Sequence, residues 1–224
     1  MFQHLHKCGG TSVRHTFQED GWTMVPYCAS RKDAFKFLYA HQNDTRIFWE
    51  IHCWTMDSLS NIINKLPKSH EKYSAILFRN PVDMAISYYY YFGTPAPKGE
   101  RYNKCNKYSN NCTELRDWSS ANPNVLLRIM KMNTSEEACP QTKRRIEVYV
   151  SDFDQVGFLE DETSYAQLLK YANAKSLREK NKRPLLANPG TLVRDHVYKN
   201  NRCAFQIYDF LKHRKTHINK KIQY

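Results

Sequence analysis

A chain of 224 residues with 41% hydrophobic and 13% aromatic content has enough apolar surface to close a core, which excludes a disordered or fibrous protein. No run approaches the roughly 18 apolar residues of a membrane span, and Met1 leads almost directly into a glycine turn, so no secretory signal is expected within the chain. The formal net charge of +12 calls for an anionic partner; charge alone leaves nucleic acid, polyanionic glycan, membrane surface and phosphorylated cofactor open.

In chain order, Phe2 to His6 reads as a short strand, followed by a glycine turn and a helix from about Ser12 to Asp20 that Gly21 stops. Trp22 to Val25 and Arg46 to His52 read as strands. Asp57 caps an expected helix whose apolar residues Leu59, Ile62, Ile63 and Leu66 have helical spacing. The continuous apolar run 73-YSAILFR-79 suits a strand buried on both faces of a parallel sheet. Asn80 and Pro81 start a helix that Gly93 ends. Thr94 to Asn122 is polar and rich in Pro, Asn, Lys and Ser, and reads as a long functional loop.

Helical spacing returns in 125-VLLRIMKM-132 and in 143-KRRIEVYVSDF-153, where Ile146, Val150 and Phe153 share a face. A strand at 156-VGFLE-160 leads into a helix at 164-SYAQLLKYA-172. The basic, proline-interrupted stretch 176-SLREKNKRPLLANPG-190 reads as a loop, and 195-DHVYKNNRCAFQIYDFLKHR-214 as one helix with a basic tail. The order is α/β, with three layers around a mainly parallel sheet, as a single domain over residues 1–224.

The chain has seven cysteines and no C-x-x-C pair, which argues against a zinc ribbon or a thioredoxin-like site. Cys105 and Cys112 flank the polar segment NKYSNN, where a local disulfide is expected, and the odd total leaves at least one thiol free or paired to another chain. N-x-S/T sequons begin at Asn43, Asn111 and Asn133; together with that cysteine pair they lean toward a secretory lumen.

The chemistry starts at 2-FQHLHKCGGTSVRHTF-17. Gly9 and Gly10 allow backbone N–H groups to converge, and the helix that follows aims its positive end at the same point. Thr11 and Ser12 add hydroxyl donors and Lys7 a point charge. The lysine precedes the glycines, unlike the G-K-[ST] ending of a Walker A loop, so a nucleotide kinase is a weaker reading. By itself this segment is as readily a structural turn as a phosphate cradle. Arg79 stands at the C-terminal end of the 73–79 strand, the edge where ligands bind in open α/β sheets, and Ser87 follows one helix later. An arginine fork and a serine hydroxyl suit a second phosphate, although Arg79 alone would more often be a solvated strand end.

Those residues carry a resemblance. HLHKCGGTS resembles the 5′-phosphosulfate loop of Golgi-type carbohydrate sulfotransferases, usually H-x-x-K-[TA]-x-[GS]-T-S, and FRNPVDMAISYYYYF resembles their 3′-phosphate motif, R-[DN]-P-V-x-R-x-x-S-x-Y. The likeness continues through 125-VLLRIM-130, 152-DFDQVGFLED-161, 176-SLREKNKRPLLANPGTL-192 and 205-FQIYDF-210, in the order of the heparan sulfate 2-O- and 6-O-sulfotransferase group. It implies a P-loop-NTPase-like sulfotransferase fold, PAPS (3′-phosphoadenosine 5′-phosphosulfate) as co-substrate, and sulfuryl transfer to an acceptor hydroxyl. Lys7, Cys8, Gly9, Gly10, Thr11 and Ser12 would hold the 5′-phosphosulfate, with Lys7 neutralising charge on the leaving phosphate. Arg79 and Ser87 would hold the 3′-phosphate, and Asn181 and Arg183 would close the basic loop over the cofactor.

The acceptor oxygen needs a base. Strand 46-RIFWEIHCW-54 resembles the family strand whose histidine lies just past its end, which makes His52 the candidate. Glu50, His4 and His6 are the alternatives. Glu50-Ile51 replaces the family's glycine-containing lead-in, and Trp54 follows the histidine. In-line sulfuryl transfer depends on positioning and charge neutralisation, which needs no metal, and no H-E-x-x-H or G-x-S-x-G pattern is present.

Tyr88 to Tyr91 cannot share one helical face, so some are core and some exposed. Lys98, Arg101, Lys104 and Lys107 in the polar loop suit an anionic glycan or simple solvation, and the tail cations Lys212, His213, Arg214, Lys215, Lys220 and Lys221 read as a solvated end. The expected partner is an acceptor glycan or other hydroxyl-bearing, anionic substrate, not nucleic acid; a homo-oligomer is left open. The competing class is a non-enzymatic polyanion binder. The family consists of type II Golgi membrane proteins, so the Golgi lumen is expected, with the anchor missing from this chain. The chain is then either a truncated luminal domain or a protein of unusual origin.

Overall fold

The computed structural model describes residues 1–51, 62, 64–66, 71–93, 113–177 and 189–218. The chain forms two compact units: Met1–Phe78 with Arg144–Lys180, and Arg79–Lys143 with Asn181–Tyr224.

The first unit is built on a four-stranded sheet of β1 (Phe2–Gln3), β4 (Glu50–Ile51), β5 (Ala75–Phe78) and β6 (Gln155–Phe158), in the order β4-β1-β5-β6. All pairings are parallel, with Phe2 opposite both Glu50 and Ala75, and Ala75 opposite Gln155. Every residue of β5 is buried, as its continuous apolar run predicts. Alternation along the strand sends Ala75 and Leu77 into a core with Phe2, Val13, Phe17, Phe48, Leu168 and Leu169. That face is covered by α1 (Gly10–Glu19) and, near the C-terminal end of the unit, by a helix over Ala166–Tyr171. Burying each large apolar side chain there stabilises the fold by about 1.5–3 kcal/mol. At the other face Tyr149, on the helix Cys139–Ser151, donates its hydroxyl proton to Gln3 Oε1 at 3.2 Å. The α/β reading with a parallel sheet flanked by helices therefore holds.

The strands are shorter than the sequence predicts. The expected strand 46–52 is divided into β3 (Ile47–Phe48) and β4, which pair with different partners. β3 joins β2 (Thr23–Met24) in a second parallel pair, whereas the Trp49 carbonyl accepts from Phe2 N at 2.8 Å as β4 begins its pairing with β1. The helix α2 (Arg31–Ala40) falls where no element was expected. Its start is legible in retrospect: Ser30 Oγ caps Asp33 N at 3.2 Å, the serine-x-x-acid pattern of a helix N-terminus.

In the second unit α3 (Pro81–Tyr88) begins as expected, with Asn80 Oδ1 accepting from Val82 N at 3.0 Å and Pro81 in the first turn. It continues as a wider π turn over Tyr89–Gly93. Tyr89 and Tyr90 are buried while Tyr91 is exposed, so the tyrosine run divides between core and surface as predicted.

Two expectations are corrected here. Thr113–Ala121 is a helix, α4, inside the stretch read as loop, because Leu115 and Ser119 are buried one helical turn apart in an otherwise polar segment. The single closing helix is two, α5 (Thr191–Asn200) and α6 (Arg202–Ile218), separated at Asn201. The break has a polar cause. Asn201 Oδ1 accepts from Val125 N at 2.9 Å, and Asn124 Oδ1 accepts from Ala204 N at 3.0 Å, so two buried asparagines exchange bonds with helix starts. Cys203, in the first turn of the second of these helices, forms a disulfide with Cys139.

Candidate anion-binding site

The loop after β1 is folded by contacts from below. His4 N continues the strand ladder to Ile51 O at 2.9 Å, and the chain then turns, with Cys8 N donating to Leu5 O at 3.1 Å. Lys7 and Gly9 both adopt left-handed backbone, φ +65° and +79°. Glycine meets that requirement at no steric cost, whereas Lys7 holds a conformation that side chains disfavour. α1 starts at Gly10, and its first intrahelical bond is Val13 N to Gly9 O at 3.1 Å. The amides of Gly10, Thr11 and Ser12 therefore precede the helical ladder and carry the positive end of the helix dipole. Thr11 is exposed and Lys7 and Ser12 are half-buried, whereas the Cys8 thiol is buried and its amide is used in the turn. What the loop offers a ligand is backbone, hydroxyls and the Lys7 charge.

Beneath it lies a charged network that sequence reasoning assembled only in part. His4 Nδ1 donates to Glu50 Oε1 at 2.5 Å, and Arg14 Nη1 donates to Glu50 Oε2 at 3.2 Å. A carboxylate only accepts, so the His4 ring carries its proton on Nδ1. Burial by itself would raise the Glu50 carboxyl, but the hydrogen bonds and charges of His4 and Arg14 outweigh it and hold the group below its usual value. Burial and the charges of His4 and Lys7 push the His6 imidazole below its usual value. Glu50 and His4 stood in the sequence only as alternative bases, and Arg14 was not singled out. The signal was there, since an acid inside the apolar strand 46-RIFWEIH-52 has to find cationic partners.

The network has an acid signature. Because the folded Glu50 value lies below the unfolded one, its contribution to stability is complete above the ordinary glutamate range and is lost as pH falls through the folded value. Melting temperature followed from about pH 6 to pH 2 is expected to fall more steeply for wild type than for Glu50→Gln. Parallel curves would show that Glu50 contributes nothing through its charge.

Arg79 is the residue directly after β5 and is half-buried, and Ser87 is buried in α3. The position that the family pattern fills with a second arginine is Met84, fully buried. His52, Asn181 and Arg183 lie outside the described residues, as do Trp54, Cys105, Cys112, Asn111, the polar-loop cations and most of the helix expected after Asp57. Among the described residues no group of three or more His, Cys, Asp or Glu is placed to hold a metal, and no helix is long and apolar enough to cross a membrane. A cavity of about 570 Å³ opens beside the residues that precede β1 and β5, lined by Trp22, Arg46, Phe48, Tyr73 and Tyr171 among others; none of the predicted site residues lines it.

Compared with protein-family models, with curated proteins and with solved structures, the chain has no match.

Proposed function

We propose that the protein is a PAPS-dependent sulfotransferase of P-loop-like fold that transfers a sulfuryl group to a hydroxyl of an acidic glycan. The observation that carries this reading is the loop at Lys7–Ser12. A parallel strand runs through a left-handed Gly9 into a bare helix start, with a lysine before it, which is the geometry of an oxyanion cradle. β1 and β5 are parallel neighbours in register, so their C-terminal ends share one edge of the sheet, and the chain leaves β5 directly at Arg79.

In this reading Lys7 and the Gly9–Ser12 backbone hold the 5′-phosphosulfate, and Lys7 offsets the charge that builds on the departing phosphate. Arg79 and Ser87 take the 3′-phosphate, Asn181 and Arg183 belong to the basic loop that covers the nucleotide, and His52 removes the acceptor proton. A Glu50 carboxyl bonded through both oxygens and held below its usual value is a poor base for a hydroxyl, which favours the histidine. The acceptor oxygen attacks sulfur as the bond from sulfur to the phosphate oxygen breaks, the proton passes to His52, and PAP leaves. The Cys139–Cys203 disulfide supports an oxidising compartment such as the Golgi lumen.

Calorimetric titration with PAP at low salt tests the reading. Wild type is expected to bind, and Lys7→Ala and Arg79→Ala each to weaken binding by about ten- to a hundredfold, the loss of one charge-assisted contact. A wild-type protein without affinity for PAP ends the sulfotransferase reading; if it then still binds heparin, the protein is a polyanion binder.

A further inference from the structure

Glu50 touches the anion loop at both of its stems. His4 is the last residue before the turn and Arg14 lies one helical turn after Gly10, so one carboxylate bonds the chain on either side of Leu5–Val13. The carboxylate is almost fully enclosed, with side-chain exposure of 1%, whereas Arg14 remains 21% exposed. An enclosed charge of this kind is costly unless both oxygens are satisfied, so the three side chains hold one arrangement. The His4 ring that Glu50 fixes is also the surface on which the loop sits: a Cβ on Gly10 would fall 2.1 Å from its Cδ2 and 2.2 Å from its Nε2.

We propose that Glu50 is a positioning residue that clamps the two stems of the anion loop and, through His4, sets the height of the Gly10 backbone, so that it determines affinity for the donor nucleotide without taking part in proton transfer. The clamp rests on the sulfotransferase reading only for the identity of the anion; the coupling of Glu50 to the loop backbone stands apart from it. It also explains why an acid occupies β4 at all. An apolar side chain there would leave Arg14 and the His4 Nδ1–H without their shared acceptor, and glutamine would supply one acceptor oxygen where the carboxylate supplies two.

The test pairs two readouts on the same variants, Glu50→Gln and, should that protein not fold, Arg14→Gln. Amide resonances of Gly9, Gly10 and Ser12 in a 15N-labelled sample report the loop with no ligand present, and PAP titration reports function. The clamp predicts that the amides shift and that PAP affinity of the folded variant falls about tenfold, with His4→Gln added to Glu50→Gln costing little more because the residues act as one network. A purely structural role would lower the melting temperature while PAP affinity of the folded protein stayed within about twofold of wild type, and that result overturns the clamp. Unmoved amides overturn it as well. If wild type binds no PAP but the amides still move, the sulfotransferase reading fails and the clamp on the loop stands.

Discussion

Gly10→Ala is expected to reduce PAP affinity by more than about a hundredfold and to lower the melting temperature by about 5–10 °C, on the scale of 2–4 °C per kcal/mol for a chain of this length. The added methyl would overlap the His4 ring at 2.1–2.2 Å, well inside any real contact. Such overlaps are usually relieved by a side-chain swing, but His4 is held through Nδ1 by Glu50, and Glu50 is held in turn by Arg14. The backbone must yield instead. It shifts the first amides of α1, so the stability loss and the binding loss have one cause. Thr11→Ala, at an exposed position one residue on, makes the control: it removes a hydroxyl from the loop without steric conflict and is expected to leave the melting temperature unchanged. A Gly10→Ala protein with wild-type PAP affinity would show that this turn holds no anion.

Cys139→Ser is expected to cost about 2–4 kcal/mol of stability, the usual range for a disulfide and just below the loop-closure entropy of about 4 kcal/mol for this separation. The Cys139–Cys203 bridge joins residues 64 apart in sequence and ties the start of the Cys139–Ser151 helix to the first turn of the Arg202–Ile218 helix. Both cysteines are buried, so the substitution also removes packed sulfur from the interior. Lys143 stacks its ammonium 3.7 Å from the centre of the Phe210 ring along the same pair of helices, an attraction that depends on the bridge keeping their spacing. Urea unfolding checks the expectation: without reductant the midpoint of Cys139→Ser should lie below that of wild type, and the wild-type midpoint should fall on reduction. Equal midpoints before and after reduction would show that the bridge is absent in solution.

The disulfide also marks where local reading stops. Spacing drew attention to Cys105 and Cys112, which flank a short polar segment, whereas nothing in the sequence around Cys139 points to Cys203. Pairing across so long a separation is set by which helices pack together. The same reason accounts for Asn201. Its neighbours have helical spacing, so the sequence reads through it, and the break arises because Val125 N and Ala204 N need acceptors that Asn201 and Asn124 supply from distant parts of the chain. The short helices α2 and α4 carry weaker marks in a different way: α2 starts at a capping serine and buries only Ala34 and Leu38 of its six apolar residues, and α4 buries a single leucine in a polar stretch.

The features legible along the chain are local. The buried run of β5, the Asn80-Pro81 helix start, and the glycine turn joining a strand to a helix are consequences of backbone sterics and of hydrophobic period, which neighbouring residues specify completely. The chemistry expected of Lys7 to Ser12 followed from that turn. What the turn rests on is set by packing between distant segments. That Glu50 meets both His4 and Arg14, and that Gly10 has no room for a side chain, depends on β4 lying in parallel register beside β1, which brings residues 46 positions apart within a hydrogen bond of each other. A buried carboxylate announces in the sequence that it needs partners; the register of the sheet chooses them.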